Sequence, residues 1–448
     1  MIIDNDVEQH LNLSIAGNRL ILLCGAGLSM APPSSLPSAQ VLAEHCWTRY
    51  NKTATIPLDN ALKNDLEALS KYFLNKGLFN QFINIIVPWD EFDVDFNKGH
   101  SAVADFLATD VLQSAISTNY DCLIEHAVHS LGKCDFAGCL NPFEVHGGMN
   151  PFHPLHKPHG CCSNYEGKHR TVWCPEQLAN DPIKSQITTY KTWLEKDLMG
   201  KDILITGFWS NWDYLNDLLF TSITLTQPNN VIVIDPSDSA TLSAKAPRLW
   251  SWANSGAFWF KHVQASATDF LDELRYLVSR IIFRNLLNDS LIEYQSKYGI
   301  AYTGPIDLDP VLTTDELYML RRNLEGVLSN TLLRTIKTRN EQHRFGAVHL
   351  RLLELGATLS GTCYTHHSKK VRIIQAAGEV LSAVKNNFSF ERPASQMADI
   401  TICAGALPDA ASSHIIRGGA PPSIIRPGLK GDWMTDDEYF STYTAVTP

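Results

Sequence analysis

Apolar residues in the first two thirds of the chain fall into short unbroken runs, separated by longer stretches where they recur at helical spacing. Short apolar runs predict strands buried on both faces, and their alternation with amphipathic helices predicts a parallel sheet covered on both sides. The strand candidates are Arg19 to Cys24, Ser114 to Ser117, Ile203 to Thr206 and Val231 to Asp235. Each ends in a glycine or polar cluster: Gly25 to Ser29, Thr118 to Asp121, Gly207 to Asp213, and Asp235 to Ser239. Ligands of open α/β sheets bind beyond the carboxyl ends of the strands, so these four clusters are expected to meet at one crevice.

The pattern changes twice along the chain. Glu125 to Leu198 is rich in His, Cys, Pro and Gly with weak periodicity, and it reads as a small inserted module. Asp269 to Leu286 reads as the last helix of the first domain, and Asn288 to Pro310 as a connection. Beyond it, Leu317, Leu320, Leu324 and Leu328, then Val348, Leu352 and Leu355, repeat at helical spacing, while Val371 to Ile374 and Ile400 to Cys403 read as strands. The expected organisation is a Rossmann-like α/β domain over 1–287 with a small inserted helical module. A connection over 288–310 leads to a mixed α+β domain over 311–448. Pro421 to Pro448, which contains Pro and Gly, is expected to be extended or partly ordered.

Composition narrows the function classes. A chain of 448 residues is long enough for two or three cores, and its 44% hydrophobic and 19% charged shares exclude wholesale disorder. No apolar stretch approaches the roughly 18 residues of a membrane span, and the start Met1-Ile2-Ile3-Asp4 lacks the features of a secretory signal. Ten cysteines at irregular spacings, mostly among apolar neighbours, read as reduced core residues of a cytoplasmic protein. A net charge of -10 argues against nucleic acid as a partner, and the basic clusters Arg334 to Arg344 and His366 to Arg372 read as solvated helix faces.

Three sequence elements carry candidate chemistry. Gly25-Ala26-Gly27-Leu28-Ser29 follows an apolar strand, as does a glycine turn that brings backbone N–H groups to a pyrophosphate at the start of a helix. A tight strand-to-helix connection is the alternative. Ser117-Thr118-Asn119-Tyr120-Asp121 places an amide and a carboxylate two residues apart at a second strand end, where they either face a ligand or cap the helix Cys122 to Leu131. His153-Pro154-Leu155-His156-Lys157-Pro158-His159-Gly160 concentrates three histidines, which invites a metal reading, yet the Cys-x-x-Cys pairs of a structural zinc site are absent.

Taken in order with Gly207-Phe208-Trp209-Ser210-Asn211-Trp212-Asp213, these elements resemble the silent information regulator (sirtuin) family of NAD-consuming enzymes over roughly residues 15 to 285. Protein-deacylating sirtuins bind zinc through two Cys-x-x-Cys pairs, whereas this chain offers Cys161-Cys162 and the isolated Cys174, so no metal is expected. The form Ser-Thr-Asn-Tyr-Asp is similar to the bacterial branch that hydrolyses NAD outright in anti-phage defence. The resemblance implies NAD+ as substrate, Asn119, His159 and Asp121 as catalytic residues, and Gly25, Ala26, Gly27, Ser29, Thr118, Gly207 and Ser210 as its binding residues; Asp235, at a strand end where dinucleotide folds place an acid on the ribose, is a further binding candidate that the resemblance does not itself supply. His159, with an ordinary pKa near 6.5, is expected to contact the ribose or act as a base. Asp213 reads as a helix N-cap. A protein deacylase and a noncatalytic sensor of NAD or ADP-ribose are the alternatives. A defence role further implies a slow resting state, a homo-oligomer, and a HerA-type ATPase as partner.

Overall fold

Leu20-Ile21-Leu22-Leu23-Cys24 forms β1 in the computed structural model, and every residue of that strand is buried. The structure describes residues 2–131, 135–143, 153–207, 216–217, 230–256, 258–306, 313–325, 340–387, 398–409 and 431–443. β1 pairs in parallel with β2 (Ser114–Ser117) on one side and β4 (Asp202–Thr206) on the other. β3 (Leu155–His156), β5 (Asn230–Asp235) and β6 (Trp259–Gln264) complete a six-stranded parallel sheet of order β3-β2-β1-β4-β5-β6. The strand order reverses between β1 and β4, the place where an α/β sheet opens a crevice.

One face of the sheet is sealed by Tyr190, Trp193 and Leu194 of the helix Ile183–Asp197, together with Leu242 and Leu249, packed on Ile21, Leu23, Ile203, Ile205 and Val233. The helices Asn5–Ala16 and Lys98–Ala108 lie against β1 and β2. A separate apolar cluster joins Leu42 and Cys46 of the helix Ala39–Asn51 to Phe73, Phe82, Ile86, Leu123 and Trp173. The stretch Glu125 to Leu198 is therefore not a module of its own: β3 lies in the sheet and the helix Ile183–Asp197 covers one of its faces, while Trp173 packs in this second cluster. Segments around residues 36–96 supply most of that cluster.

The sheet has two strands beyond the four that the apolar runs predict. β3 is only two residues long, and β6 reads Trp-Phe-Lys-His-Val-Gln with mostly half-buried positions, as suits an edge strand. Neither makes the continuous apolar run that marks a central strand.

The chain divides into two compact units, Met1–Leu274 and Arg275–Pro448, the boundary falling within the helix Ala267–Asp289. The second unit holds a mixed sheet of order β11-β10-β9-β8-β7. There β7 (Thr358–Ser360) and β8 (Cys363–His366) pair antiparallel, as do β8 and β9 (Lys369–Gln375). β9, β10 (Ile400–Ala404) and β11 (Asp432–Thr435) run parallel. The helix Asn340–Glu354 packs on β9 and β10, burying Phe345, Val348 and Leu352, and His349 bonds to the Tyr364 hydroxyl at 2.8 Å. This unit is the expected mixed α+β arrangement. The segment Pro421 to Pro448 lies mostly outside the described residues. No helix among the described residues is long and apolar enough to cross a membrane.

Candidate functional site

Two glycines meet at the switch point. The N–H of Gly25 donates to the Thr206 carbonyl at 3.1 Å, and that of Gly27 to the Gly207 carbonyl at 3.0 Å, which ties the loop after β1 to the end of β4. A Cβ on Gly27 would stand 2.6 Å from Gly207 Cα, and one on Gly207, at φ +58°, would stand 2.7 Å from the Leu28 nitrogen. Only glycine allows that backbone contact. The turn then makes a single 3-10 turn over Ala26–Leu28, and the next α-helix starts at Ala39 with Ser38 as its cap. The helix expected to begin at this turn is only this short 3-10 turn, and no α-helix starts before Ala39.

Ser29 closes the turn and organises what lies beneath it. Its buried hydroxyl donates to Asp121 Oδ2 at 2.9 Å and accepts from Asn119 Nδ2 at 3.0 Å. His100 Nε2 lies 3.1 Å from the same oxygen. The tautomer of His100 follows from its other nitrogen: Nδ1 accepts the Asn97 backbone N–H at 3.2 Å, so the ring is neutral with its proton on Nε2, and it donates to Ser29. Burial, the largest influence, pushes the His100 pKa down to about 4 and keeps the ring neutral. The Ser29 oxygen thus uses both lone pairs and its proton.

The same network holds the catalytic candidates of the second strand end. Thr118 N–H donates to the Cys24 carbonyl, and Asn119 N–H to the Ser117 hydroxyl. Both amide hydrogens of Asn119 are engaged, one on Ser29 and the other on the Gly25 carbonyl at 3.2 Å, so the fixed carboxamide is left with its oxygen as acceptor. Asp121 is buried, with Oδ1 accepting from Leu123 N–H at 3.1 Å as the helix Leu123–Ser130 begins. Its carboxylate therefore opens that helix and anchors Ser29 at once.

The third element is a turn beside it. Gly160, at φ +84°, donates its N–H to the Lys157 carbonyl, and a Cβ there would collide with the Arg170 and Thr171 backbone at 2.6 Å. His159 sits in this turn, buried, and its carbonyl accepts the Val172 N–H. Cys162 N–H donates to the Tyr120 carbonyl at 2.7 Å, which holds residues 159–162 beside the Asn119 segment. Burial pushes the His159 pKa down to about 4, so the expectation of an ordinary value near 6.5 is corrected. At neutral pH the ring is a hydrogen-bonding group without charge. The other two histidines of the motif go elsewhere: His153 meets Asp110 at 2.6 Å, and His156 is buried with its ring 4.0 Å from that of Trp193.

Below both loops lies a buried charge cluster that sequence reading missed. Lys157 is buried and pairs with Glu125 Oε1 at 3.3 Å, and its ammonium also donates to the Asp121 carbonyl. Burial opposes the Lys157 charge, but Cys161, Glu125 and Asp121 around it hold its pKa well above the usual value. Burial raises Glu125 to about 7. Cys122, Glu125 and Cys161 are the only group of three or more His, Cys, Asp or Glu residues among the described residues whose ligand atoms all come within 4.8 Å of one another. Lys157 Nζ, 3.3 Å from Glu125 and 3.8 Å from Cys161, stands among those atoms as their cation.

The remaining predicted positions are less central. Asp235 ends β5, buried, with one carboxylate oxygen accepting the Ser237 N–H at 2.7 Å. Ser210 and Asp213 lie outside the described residues. Asn97 and His100 were also missed. Asn97 caps the helix Lys98–Ala108 and donates to the Leu28 carbonyl at 2.8 Å, and its position ahead of Lys98-Gly99-His100 is an N-cap signal that carries no hint of a site.

Residues 113–258 match the family model described as the SIR2-like domain. That span includes Asn119, Asp121, His159 and Gly207 and begins after the glycine turn. The first unit therefore carries a sirtuin-like domain. Among solved structures, a Sir2 homologue in complex with NAD aligns at 16% identity over 60% of this chain and 91% of its own, with a TM-score of 0.34. A mutant Sir2 homologue in complex with 2′-O-acetyl-ADP-ribose aligns at 17% identity over 60% of this chain and 94% of its own, with a TM-score of 0.32. Comparison with curated proteins finds no match.

Proposed function

We propose that the sirtuin-like domain binds NAD+ and hydrolyses its nicotinamide–ribose bond to give nicotinamide and ADP-ribose. The observation that carries this reading is Asn119, held through both amide hydrogens so that its carbonyl oxygen alone remains to accept from a ligand. Departure of nicotinamide builds positive charge on the ribose, as in glycoside cleavage, and water then adds to the same carbon. A fixed carbonyl oxygen can accept from that water or from a ribose hydroxyl and orient it. His159, neutral at physiological pH, is suited to receive the proton or a hydroxyl hydrogen bond. Asp121 keeps a carboxylate close to the site and fixes Ser29.

In this reading Gly25, Ala26, Gly27, Ser29 and Thr118 frame the pyrophosphate, with Gly27 contributing close backbone approach because its N–H is already bonded. Gly207 and Ser210 line the adenosine side, and Asp235 is the candidate for its ribose. We assign no metal to the reaction. An NAD hydrolase would deplete its own cytoplasm, so its activity must be gated. We assign it to anti-phage defence, with the second unit mediating a homo-oligomer or docking a HerA-type ATPase partner.

Incubation of the purified protein with NAD+, alone and with the partner, followed by chromatography of the nucleotides, tests the reading. Nicotinamide and ADP-ribose in equal amounts without an acyl acceptor support it. Turnover that requires an acyl-lysine peptide makes the protein a deacylase, and saturable NAD binding without products makes it a sensor.

A further inference from the structure

We propose that Cys122, Cys161 and Cys162 form a peroxide-sensitive thiol centre in which Cys161 is the nucleophile and Cys122 the resolving thiol. Their disulfide would staple together the two loops that bear Asn119 and His159. The Cys122 and Cys161 sulfurs are 3.3 Å apart, and Cys162 lies 3.5 Å from Cys122. All three are free thiols, with Cys162 the partly exposed member at the edge of the cluster. Cys122 directly follows Asp121, and Cys161 follows His159-Gly160, so the thiols join the loops from beneath.

The surroundings differentiate the three sulfurs. Geometry singles out Cys161: the Lys157 ammonium lies 3.8 Å from its sulfur and favours the thiolate there, with the Cys122 thiol 3.3 Å away as its hydrogen-bonding neighbour. Cys162 is pushed up to about 12, and Cys122 is also raised, which keeps both protonated. A thiolate with thiol neighbours is the arrangement of a reactive cysteine poised next to a resolving one. The same lysine argues against a resident metal, since its ammonium already neutralises Glu125 and Cys161 at the distances a bound cation would need.

The chemistry balances with hydrogen peroxide as the oxidant. The Cys161 thiolate attacks one peroxide oxygen, an S–O bond forms, the O–O bond breaks, and hydroxide leaves. The Cys122 thiol then attacks the sulfenic sulfur, an S–S bond forms as the S–O bond breaks, and the departing hydroxide takes the Cys122 proton as water. Two sulfurs are oxidised by two electrons in all, and the peroxide is reduced. Closing the sulfurs from 3.3 Å to a bond of about 2.05 Å moves them together by about 1.2 Å. It also removes the thiolate that Lys157 faces, while Lys157 holds the Asp121 carbonyl. Misplacement of that size at reacting groups lowers rates on the order of 10²-fold.

The test uses the full-length protein, reduced, desalted and titrated with hydrogen peroxide. Free thiols are then blocked, the peptides mapped by mass spectrometry, and parallel samples assayed for NAD cleavage before and after dithiothreitol. A Cys122–Cys161 linked peptide is expected ahead of any oxidation of Cys46 or Cys403, which are likewise buried, with reversible loss of NAD cleavage. Cys122→Ser should keep its activity under the same treatment, and wild-type mapping stands by itself should that variant fail to fold. Oxidation of Cys46 and Cys403 as fast as the cluster, or one zinc per purified chain that blocks the linkage, overturns the thiol centre. A linkage that leaves turnover unchanged overturns its coupling to the site. The activity arm rests on the NAD-hydrolase reading, whereas the mapping does not. A disulfide in a protein that cleaves no NAD in either state refutes that reading and leaves the thiol centre standing.

Discussion

Ser29→Ala removes a single hydroxyl on which three polar groups converge. Asp121 Oδ2, Asn119 Nδ2 and His100 Nε2 all lose a partner, at present distances of 2.9, 3.0 and 3.1 Å. Asn119 is half-buried and keeps its bond to the Gly25 carbonyl, so its contribution is small. Asp121 and His100 are buried, and each stranded buried group costs roughly 1–3 kcal/mol, which puts the substitution at about 2–6 kcal/mol. For a unit of this size each kcal/mol shifts Tm by about 2–4 °C, so a drop of roughly 4–24 °C is expected. Thermal unfolding followed by tryptophan fluorescence measures it, and amide exchange at Leu123, bonded to Asp121 Oδ1, localises it. Ser38→Ala serves as the comparison. There an exposed N-cap bond of 3.3 Å is lost and no buried partner is stranded, so the cost should be about 1 kcal/mol or less. If Ser29→Ala melts as the Ser38→Ala protein does, with Leu123 exchange unchanged, Ser29 is not the organising group of this site.

Asn119→Ala and His159→Ala should each reduce nicotinamide release by about 10²- to 10⁴-fold in a protein that still unfolds cooperatively, His159→Ala at a lowered Tm because its ring is buried, measured by product chromatography beside calorimetry. Gly207→Ala should abolish NAD binding and destabilise the first unit, because its Cβ would strike backbone at 2.7 Å. Gly200→Ala, at φ +69° with nothing within 4 Å of the new atom, isolates the conformational penalty of about 1–2 kcal/mol, and equal effects of the two in denaturant titration would remove the close-contact explanation. Acid should weaken the first unit in a defined window. His100 and His159 bind a proton near pH 6.5 when unfolded but only near 4 when folded, so the stability they protect is complete above about 6.5 and lost as the pH falls toward 4. At 1.36 kcal/mol per pKa unit the loss is about 3 kcal/mol for each ring, and a urea midpoint that stays flat from pH 7 to 4 would contradict their neutral burial.

The central strands were legible because burial on both faces demands uninterrupted apolar residues, as in Leu20 to Cys24 and Val231 to Asp235. The strand ends were legible for a related reason: a chain leaving a buried sheet needs turn formers, and those turns are where ligands are bound. β3 and β6 escaped that logic, one being two residues long and the other half-exposed at an edge. The stretch Glu125 to Leu198 was misjudged as a module because Phe73 and Phe82 meet Trp173 only through folding, and nothing in local periodicity joins them.

For the candidate site, the sequence alone determined which residue types stand at the sheet's carboxyl edge, since glycine turns, amides and carboxylates must sit next to each strand in the chain. Tertiary structure decided how those groups are used. It placed His100 against Ser29 across 71 positions in sequence, set Gly27 against Gly207, and gathered Cys122, Glu125, Lys157 and Cys161 under the loops. It also made His159 a neutral ring. Burial and long-range hydrogen bonding depend on which distant segments the fold superimposes, and so protonation, tautomer and the cysteine cluster could be known only once the strands had been brought side by side.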